Sequence, residues 1–140
     1  EPVVQEPQSG VFVFPNGSTY DGFVLNFPEK GLMRQGKGTF VDGPVRYDGD
    51  WVEDAMEGEG TFVWTGGAKY TGQFKNNKFN GNGTYTWPDG ATYSGGWLDG
   101  KMHGKGQYKT EDGTTWQGQF YNGCGPELVR PVLVPQLKTQ

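Results

Sequence analysis

The stretch Gly81-Asn82-Gly83-Thr84-Tyr85-Thr86-Trp87-Pro88-Asp89-Gly90-Ala91-Thr92-Tyr93-Ser94-Gly95-Gly96-Trp97 decides the fold. Taken in steps of two, Gly81, Gly83, Tyr85 and Trp87 share one strand face. Tyr93, Gly95 and Trp97 share a face of the next strand. Alternation of this kind around a Pro-Asp-Gly turn signal predicts a β-hairpin. Parity sets the turn length. With a three-residue loop, Trp87 pairs with Ala91 and Tyr85 with Tyr93, so the rings stay on one face. Pro88 then takes a position that favours φ near −65°, and Gly90 the left-handed bulge position. Thr65-Gly66-Gly67 and Glu111-Asp112-Gly113 suit the same loop, while Gly43-Pro44 suits a two-residue loop that keeps the register.

The hairpin repeats along the chain. Tyr47, Tyr70, Tyr93 and Trp116 lie 23 residues apart, and each opens an aromatic-x-Gly-x-aromatic strand. Gly-x-Gly-x-aromatic strands follow at Gly58 to Phe62, Gly81 to Tyr85 and Gly104 to Tyr108. An earlier copy opens at Tyr20-Asp21-Gly22 and closes at Gly36 to Phe40, and Gly10 to Gly17 forms a half-copy before it. Ten strands are predicted, with no helical period. Between Tyr20 and Gly36 the spacing is longer than in the other copies, and the surplus lies in Leu25 to Gln35. That segment reads either as a loop capping the sheet end or as a partner-docking loop. Loops are also expected at Val52 to Glu57, Lys75 to Asn80 and Leu98 to His103. Their apolar residues, Met56, Phe79 and Met102, are expected to tuck against the neighbouring loop.

This pattern resembles the MORN repeat, a unit of Tyr-x-Gly-x-Trp followed by Gly-x-Gly-x-Tyr, and the resemblance runs from about Gly10 to Gly123. It implies an all-β fold, an elongated single-layer antiparallel sheet of consecutive hairpins. Pairing across that sheet predicts a central glycine row from Gly10 to Gly118. Beside it runs an aromatic row: Phe12, Tyr20, Phe40, Tyr47, Phe62, Tyr70, Tyr85, Tyr93, Tyr108 and Trp116. On the other side glycines alternate with large residues: Val24, Gly36, Trp51, Gly58, Phe74, Gly81, Trp97, Gly104 and Phe120. The expected result is an open trough with aromatic walls and a glycine floor. The opposite face, with Asp21, Lys37, Asp48, Glu59, Thr71, Thr84, Ser94, Lys105 and Gln117, should be solvated. Three segments are expected: a lead-in over 1–9, the sheet over 10–123, and a Pro-, Val- and Leu-rich extended tail over 124–140.

Composition suits a repeat sheet, in which each unit packs only on its neighbours. There are 25 glycines, 15% aromatic residues and only 33% apolar residues, which is thin for a compact core. A net charge of −4 argues against general nucleic-acid or anionic-membrane binding. No apolar run approaches the roughly 18 residues of a membrane helix. The lone Cys124 favours a reducing compartment.

Chemistry is sparse. His103 is the only histidine, which excludes a His-based triad or a multi-His metal site. Cys124 has no sequence-adjacent base, Glu53-Asp54 and Glu111-Asp112 read as turn residues, and no Gly-x-Gly opens a helix. The reading is therefore a non-enzyme, with no catalytic, metal or cofactor residues. The resemblance implies a protein-binding scaffold in a cytoskeletal, ciliary or other multiprotein assembly in the cytoplasm. The partner-binding candidates are Tyr47, Trp51, Phe62, Tyr70, Phe74, Tyr85, Trp87, Tyr93, Trp97, Tyr108 and Trp116 on the trough, with Leu128, Val132 and Leu133 in the tail. That tail either covers its own sheet or enters a groove on a partner as an extended peptide. Two other readings stand beside the scaffold: a phosphoinositide-binding module, and a homodimer that pairs troughs or edge strands.

Overall fold

A computed structural model describes residues 6–122 of the chain. The strands are β1 (Gln8–Val13), β2 (Thr19–Phe27), β3 (Gly31–Asp42), β4 (Val45–Val52), β5 (Ala55–Val63), β6 (Lys69–Lys75), β7 (Lys78–Thr86), β8 (Thr92–Leu98), β9 (Lys101–Lys109) and β10 (Thr115–Asn122). They form one ten-stranded sheet whose spatial order is the chain order. β1 begins two residues before Gly10. Residues 1–5 of the lead-in and the tail from 123 lie outside the described residues, and so do the candidates Leu128, Val132 and Leu133.

Two of the three anticipated rows are present in full. Each glycine from Gly10 to Gly118 faces the next across every strand pair. The row from Phe12 to Trp116 pairs in the same way. The three-residue turns are present too. The Trp87 N–H donates to Ala91 O at 2.9 Å, the Gly90 N–H donates to Trp87 O at 2.9 Å, and Gly90 sits at φ +98°. The same bond pair closes Phe14–Ser18, Trp64–Ala68 and Thr110–Thr114.

The third row departs from expectation. Trp51, Phe74 and Trp97 face Met56, Phe79 and Met102 on their C-terminal side, where Gly58, Gly81 and Gly104 were expected. A β-bulge causes the shift, and Gly81 enters it at φ +101°, a backbone position unfavourable for any residue with a Cβ. The six-residue loops are consequently two-residue turns. Glu53-Asp54, Asn76-Asn77 and Asp99-Gly100 all have positive φ, the type I′ geometry that suits strand twist. The strands run up to these turns, so Met56, Phe79 and Met102 are strand residues.

Leu25 to Gln35 is likewise not a loop. Leu25 pairs with Met33 and Phe27 with Gly31, so the surplus residues lengthen the β2–β3 hairpin, with Glu29 at φ +70° in its turn. This hairpin leans on the next turn. Lys30 pairs with Glu53, and Arg34 bonds Asp54 through Nε at 2.8 Å.

Turns on this edge interlock from repeat to repeat. The Asp54 N–H donates to Arg34 O, Asn77 N–H to Met56 O and Gly100 N–H to Phe79 O, at 3.0, 3.1 and 2.9 Å. In return the Arg34 and Met56 N–H groups donate to Asp54 Oδ1 and Asn77 Oδ1, each at 2.8 Å. The bulge leaves these backbone groups without a ladder partner, and the following turn satisfies them.

Candidate functional site: the aromatic face

The trough floor is filled by the tyrosines. Tyr20, Tyr47, Tyr70 and Tyr93 are fully buried. Each ring lies over the glycine of the following strand. A Cβ placed on Gly83 would fall 2.2 Å from Tyr70 Oη, and one on Gly38 2.1 Å from Tyr20 Oη. Glycine there is a requirement of ring packing. Each hydroxyl donates to the carbonyl three residues on: Phe23 at 2.7 Å, Asp50 at 2.9 Å, Gln73 at 2.8 Å and Gly96 at 3.2 Å. Those four residues are the ones that the bulges drop from the following strand's register. One side chain thus covers the glycines and satisfies the carbonyl beside the bulge. Burial pushes the Tyr20 and Tyr93 hydroxyls up to about 12, and raises Tyr47 and Tyr70 as well.

The larger rings fit between the tyrosines edge to face. Trp51 meets Tyr20 and Tyr47 at 5.6 and 5.0 Å. Phe74 meets Tyr47 and Tyr70 at 5.1 and 5.0 Å, and Trp97 meets Tyr70 and Tyr93 at 5.4 and 5.2 Å. Phe120 closes the series on Tyr93 at 5.0 Å. The indole N–H groups of Trp51 and Trp97 donate to Gly38 O and Gly83 O at 3.2 and 3.0 Å. Arg34 stands where later repeats place Met56, Phe79 or Met102, with its guanidinium 4.2 Å from the Trp51 ring centre.

Most of the rings anticipated as a partner surface therefore form this chain's own core. Tyr47, Trp51, Tyr70, Phe74, Tyr85, Trp87, Tyr93, Trp97 and Tyr108 are buried, whereas Phe62 is half-buried and Trp116 is 47% exposed. The open-trough expectation is corrected because a floor of glycine leaves room that the tyrosines themselves occupy. The accessible aromatic surface lies elsewhere on the same face. Phe12, Phe40, Met56, Phe62, Trp64 and Phe79 are half-buried against the core, and Phe14 is 37% exposed. Phe14 meets Phe40 at 6.3 Å, and Trp64 joins Phe62 at 4.4 Å and Phe79 at 5.7 Å. Trp64 was missed as a candidate, although the Phe62-Val63-Trp64 alternation places it beside Phe62.

The opposite face is polar, as anticipated. Thr61 and Thr71, Thr84 and Ser94, and Gln107 and Gln117 bond across strands. Lys37 and Arg46 pair with Asp50 and Asp48 at the surface. Among the described residues no three or more His, Cys, Asp or Glu gather as a metal site. Among the described residues no helix is long and apolar enough to cross a membrane.

Residues 9–19, 47–69, 70–92 and 93–115 match the MORN repeat. The gap between the first two segments holds the lengthened β2–β3 hairpin. The chain is also similar to Protein TIC 100 of Arabidopsis thaliana, 41% identical over 51 residues. That match covers 35% of this chain and 5% of the relative.

Proposed function

The chain belongs to the MORN repeat family, and from that premise we propose that it is a non-enzymatic interaction module that seats a segment of a protein partner on its aromatic face. One observation carries this reading. Phe12, Phe14, Phe40, Phe62, Trp64 and Phe79 form a set of rings between β1 and β7 on the face, and the fold itself leaves them partly uncovered. Aromatic side chains with one face packed and one face open make rigid anchors for an incoming apolar side chain. The polar face, where Lys37 and Arg46 are paired to aspartates, favours a protein segment over a lipid headgroup. The setting is an intracellular multiprotein assembly, of the cytoskeletal or ciliary kind that the family resemblance implies.

The test is affinity capture with three full-length proteins: wild type, Phe40→Asp with Trp64→Asp, and Val13→Asp with Leu98→Asp. Val13 and Leu98 are 71% and 47% exposed. The reading expects capture to be lost with the first pair and kept with the second. Equal capture by all three proteins would overturn it.

Self-association is a second reading with an observation behind it. Edge strand β1 presents Val11 at 68% and Val13 at 71% exposure, and edge strand β10 presents Trp116. Open edges of this kind pair with other strands. Light scattering that returned a monomer mass across the soluble concentration range would exclude it.

A further inference from the structure

Inside the sheet, ring and glycine interlock at every second strand boundary. Tyr20, Tyr47, Tyr70 and Tyr93 are each 0% exposed. Their hydroxyls lie 2.1, 2.4, 2.2 and 2.4 Å from where a Cβ on Gly38, Gly60, Gly83 and Gly106 of the next strand would fall. Each end of the sheet holds half of this arrangement. Trp116, the ring at the matching place in β10, is 47% exposed. Gly10, the glycine at the matching place in β1, has no ring of another strand over it. A Cβ there would meet only Phe12 of its own strand, at 3.3 Å. So β10 presents a ring without a seat, and β1 a seat without a ring.

We propose that copies of this chain join head to tail, β10 of one copy pairing with β1 of the next so that Trp116 seats over Gly10 of that second copy. The proposal rests on the self-association reading and names its two strands and their register. The register is the one already present inside the chain. Tyr93 faces Tyr108 and Gly95 faces Gly106, and the other boundaries of this type repeat the pairing. Setting Trp116 opposite Phe12 of a second copy brings Gly118 opposite its Gly10, Gln117 opposite its Val11 and Thr115 opposite its Val13. The backbone agrees. The Phe14 N–H donates to Ser18 O, and the Thr110 N–H to Thr114 O. Even-numbered residues of β1 and β10 therefore aim their N–H and C=O groups at β2 and β9, and Val11, Val13, Thr115 and Gln117 aim theirs outward. Those outward groups are the ones that the placement joins. Neither β1 nor β10 contains a charged residue or a proline, the usual guards of an open edge, and Val11 and Val13 are 68% and 71% exposed. The two edges differ, so the contact is heterologous and leaves an unused β1 and an unused β10 at the ends of every assembly. Such a contact extends past two copies.

The test uses full-length protein in a Cys124→Ser background. A Val13→Cys chain and a Thr115→Cys chain are mixed and treated with a short bismaleimide, since facing residues of a hydrogen-bonded antiparallel pair lie about 5.5 Å apart between Cα atoms. Mass is followed by sedimentation over a concentration series for wild type and for Gly10→Ala, which fills the seat without straining the chain's own packing. The result expected is a mass that climbs beyond a dimer, crosslinks that join position 13 to position 115, and association weakened roughly tenfold or more by Gly10→Ala with its tryptophan emission unchanged. A monomer at every concentration overturns the proposal and the self-association reading together. Crosslinks that join 13 to 13 or 115 to 115, a mass that stops at a dimer, or association indifferent to Gly10→Ala overturns the proposal and leaves self-association standing.

Discussion

Gly83→Ala should be among the most damaging small substitutions in this chain. The added Cβ would lie 2.2 Å from Tyr70 Oη, 2.4 Å from Cζ and 2.6 Å from Cε1. The Tyr70 ring has no free side to yield toward. It is fully buried and stacked on Phe79 at 3.9 Å, with Phe74 and Trp97 edge-on at 5.0 and 5.4 Å. Its hydroxyl holds Gln73 O at 2.8 Å. Relief requires the ring to move by about 1 Å, to an ordinary contact distance. Overpacking of this kind costs about 1–3 kcal/mol, and a stranded buried carbonyl about 1–3 kcal/mol more. Restricting the unfolded chain returns about 0.4–1 kcal/mol. The net expectation is a loss of about 2–5 kcal/mol, a large part of a typical domain's stability. Gly10→Ala is the control, since its Cβ would meet nothing nearer than Phe12 at 3.3 Å, and it should change stability by less than about 0.5 kcal/mol. Urea unfolding followed by tryptophan emission, with the m-value checked for constancy, measures both. The decisive comparison is the double variant Gly83→Ala with Tyr70→Ala. If the ring is what the Cβ strikes, the double variant should be no less stable than Tyr70→Ala alone. Additive losses would refute the reasoning, as would equal losses at Gly83 and Gly10.

Three further outcomes follow from the same geometry. Tyr47→Phe and Tyr70→Phe should each lose about 1–3 kcal/mol in urea unfolding, because a buried carbonyl loses its donor, whereas Trp116→Phe at the exposed end should lose under about 1 kcal/mol. Asn77→Ala removes the acceptor for the Met56 N–H and leaves a Cβ-bearing residue without Asn's tolerance of φ +68°. It should cost about 1–3 kcal/mol, with the Met56 amide showing the earliest gain in hydrogen exchange. In alkaline titration, Tyr20 and Tyr93 keep their protons to about pH 12 in the folded chain, while unfolded tyrosine ionises near about 10. The folded state therefore binds the proton more tightly, its advantage is complete below about pH 10, and stability falls as pH rises through 10 toward 12. Absorbance at alkaline pH should show these tyrosines ionising together with unfolding, and independent ionisation in a folded chain would count against their burial.

The strand order, the glycine row and the aromatic row were legible because a period of two and a period of 23 residues both run through the chain, and parity leaves only one three-residue turn at Pro88-Asp89-Gly90. The bulges were not legible. Gly58, Gly81 and Gly104 read as ordinary strand positions, and only their positive φ shows that they slide Met56, Phe79 and Met102 opposite the large rings. Two of the two-residue turns were hidden as well, since Glu53-Asp54 and Asn76-Asn77 lack the Asn-Gly or Asp-Gly signature of a type I′ turn, which only Asp99-Gly100 carries among the three. Leu25 to Gln35 looked like an inserted loop because Pro28 and Gly31 punctuate it, yet Leu25 and Phe27 pair with Met33 and Gly31. For the aromatic face, sequence misjudged which rings are buried. A glycine beside a tyrosine reads equally as open floor or as a seat for the ring, and only the distance from Gly83 to Tyr70 decides between them. Trp64 and Phe79 were legible as apolar, but their partial burial depends on rings one and two strands away.

The most direct test of the interaction reading is a photocrosslinking pair in cells that express the full chain. A benzophenone amino acid is placed at Phe40, half-buried on the aromatic face, or at Thr71, exposed on the polar face. Crosslinked partner peptides are then identified by mass. The account predicts one recurrent partner segment, with apolar side chains, joined through position 40 and absent at position 71. Crosslinks to that partner through position 71 and none through position 40 would contradict it.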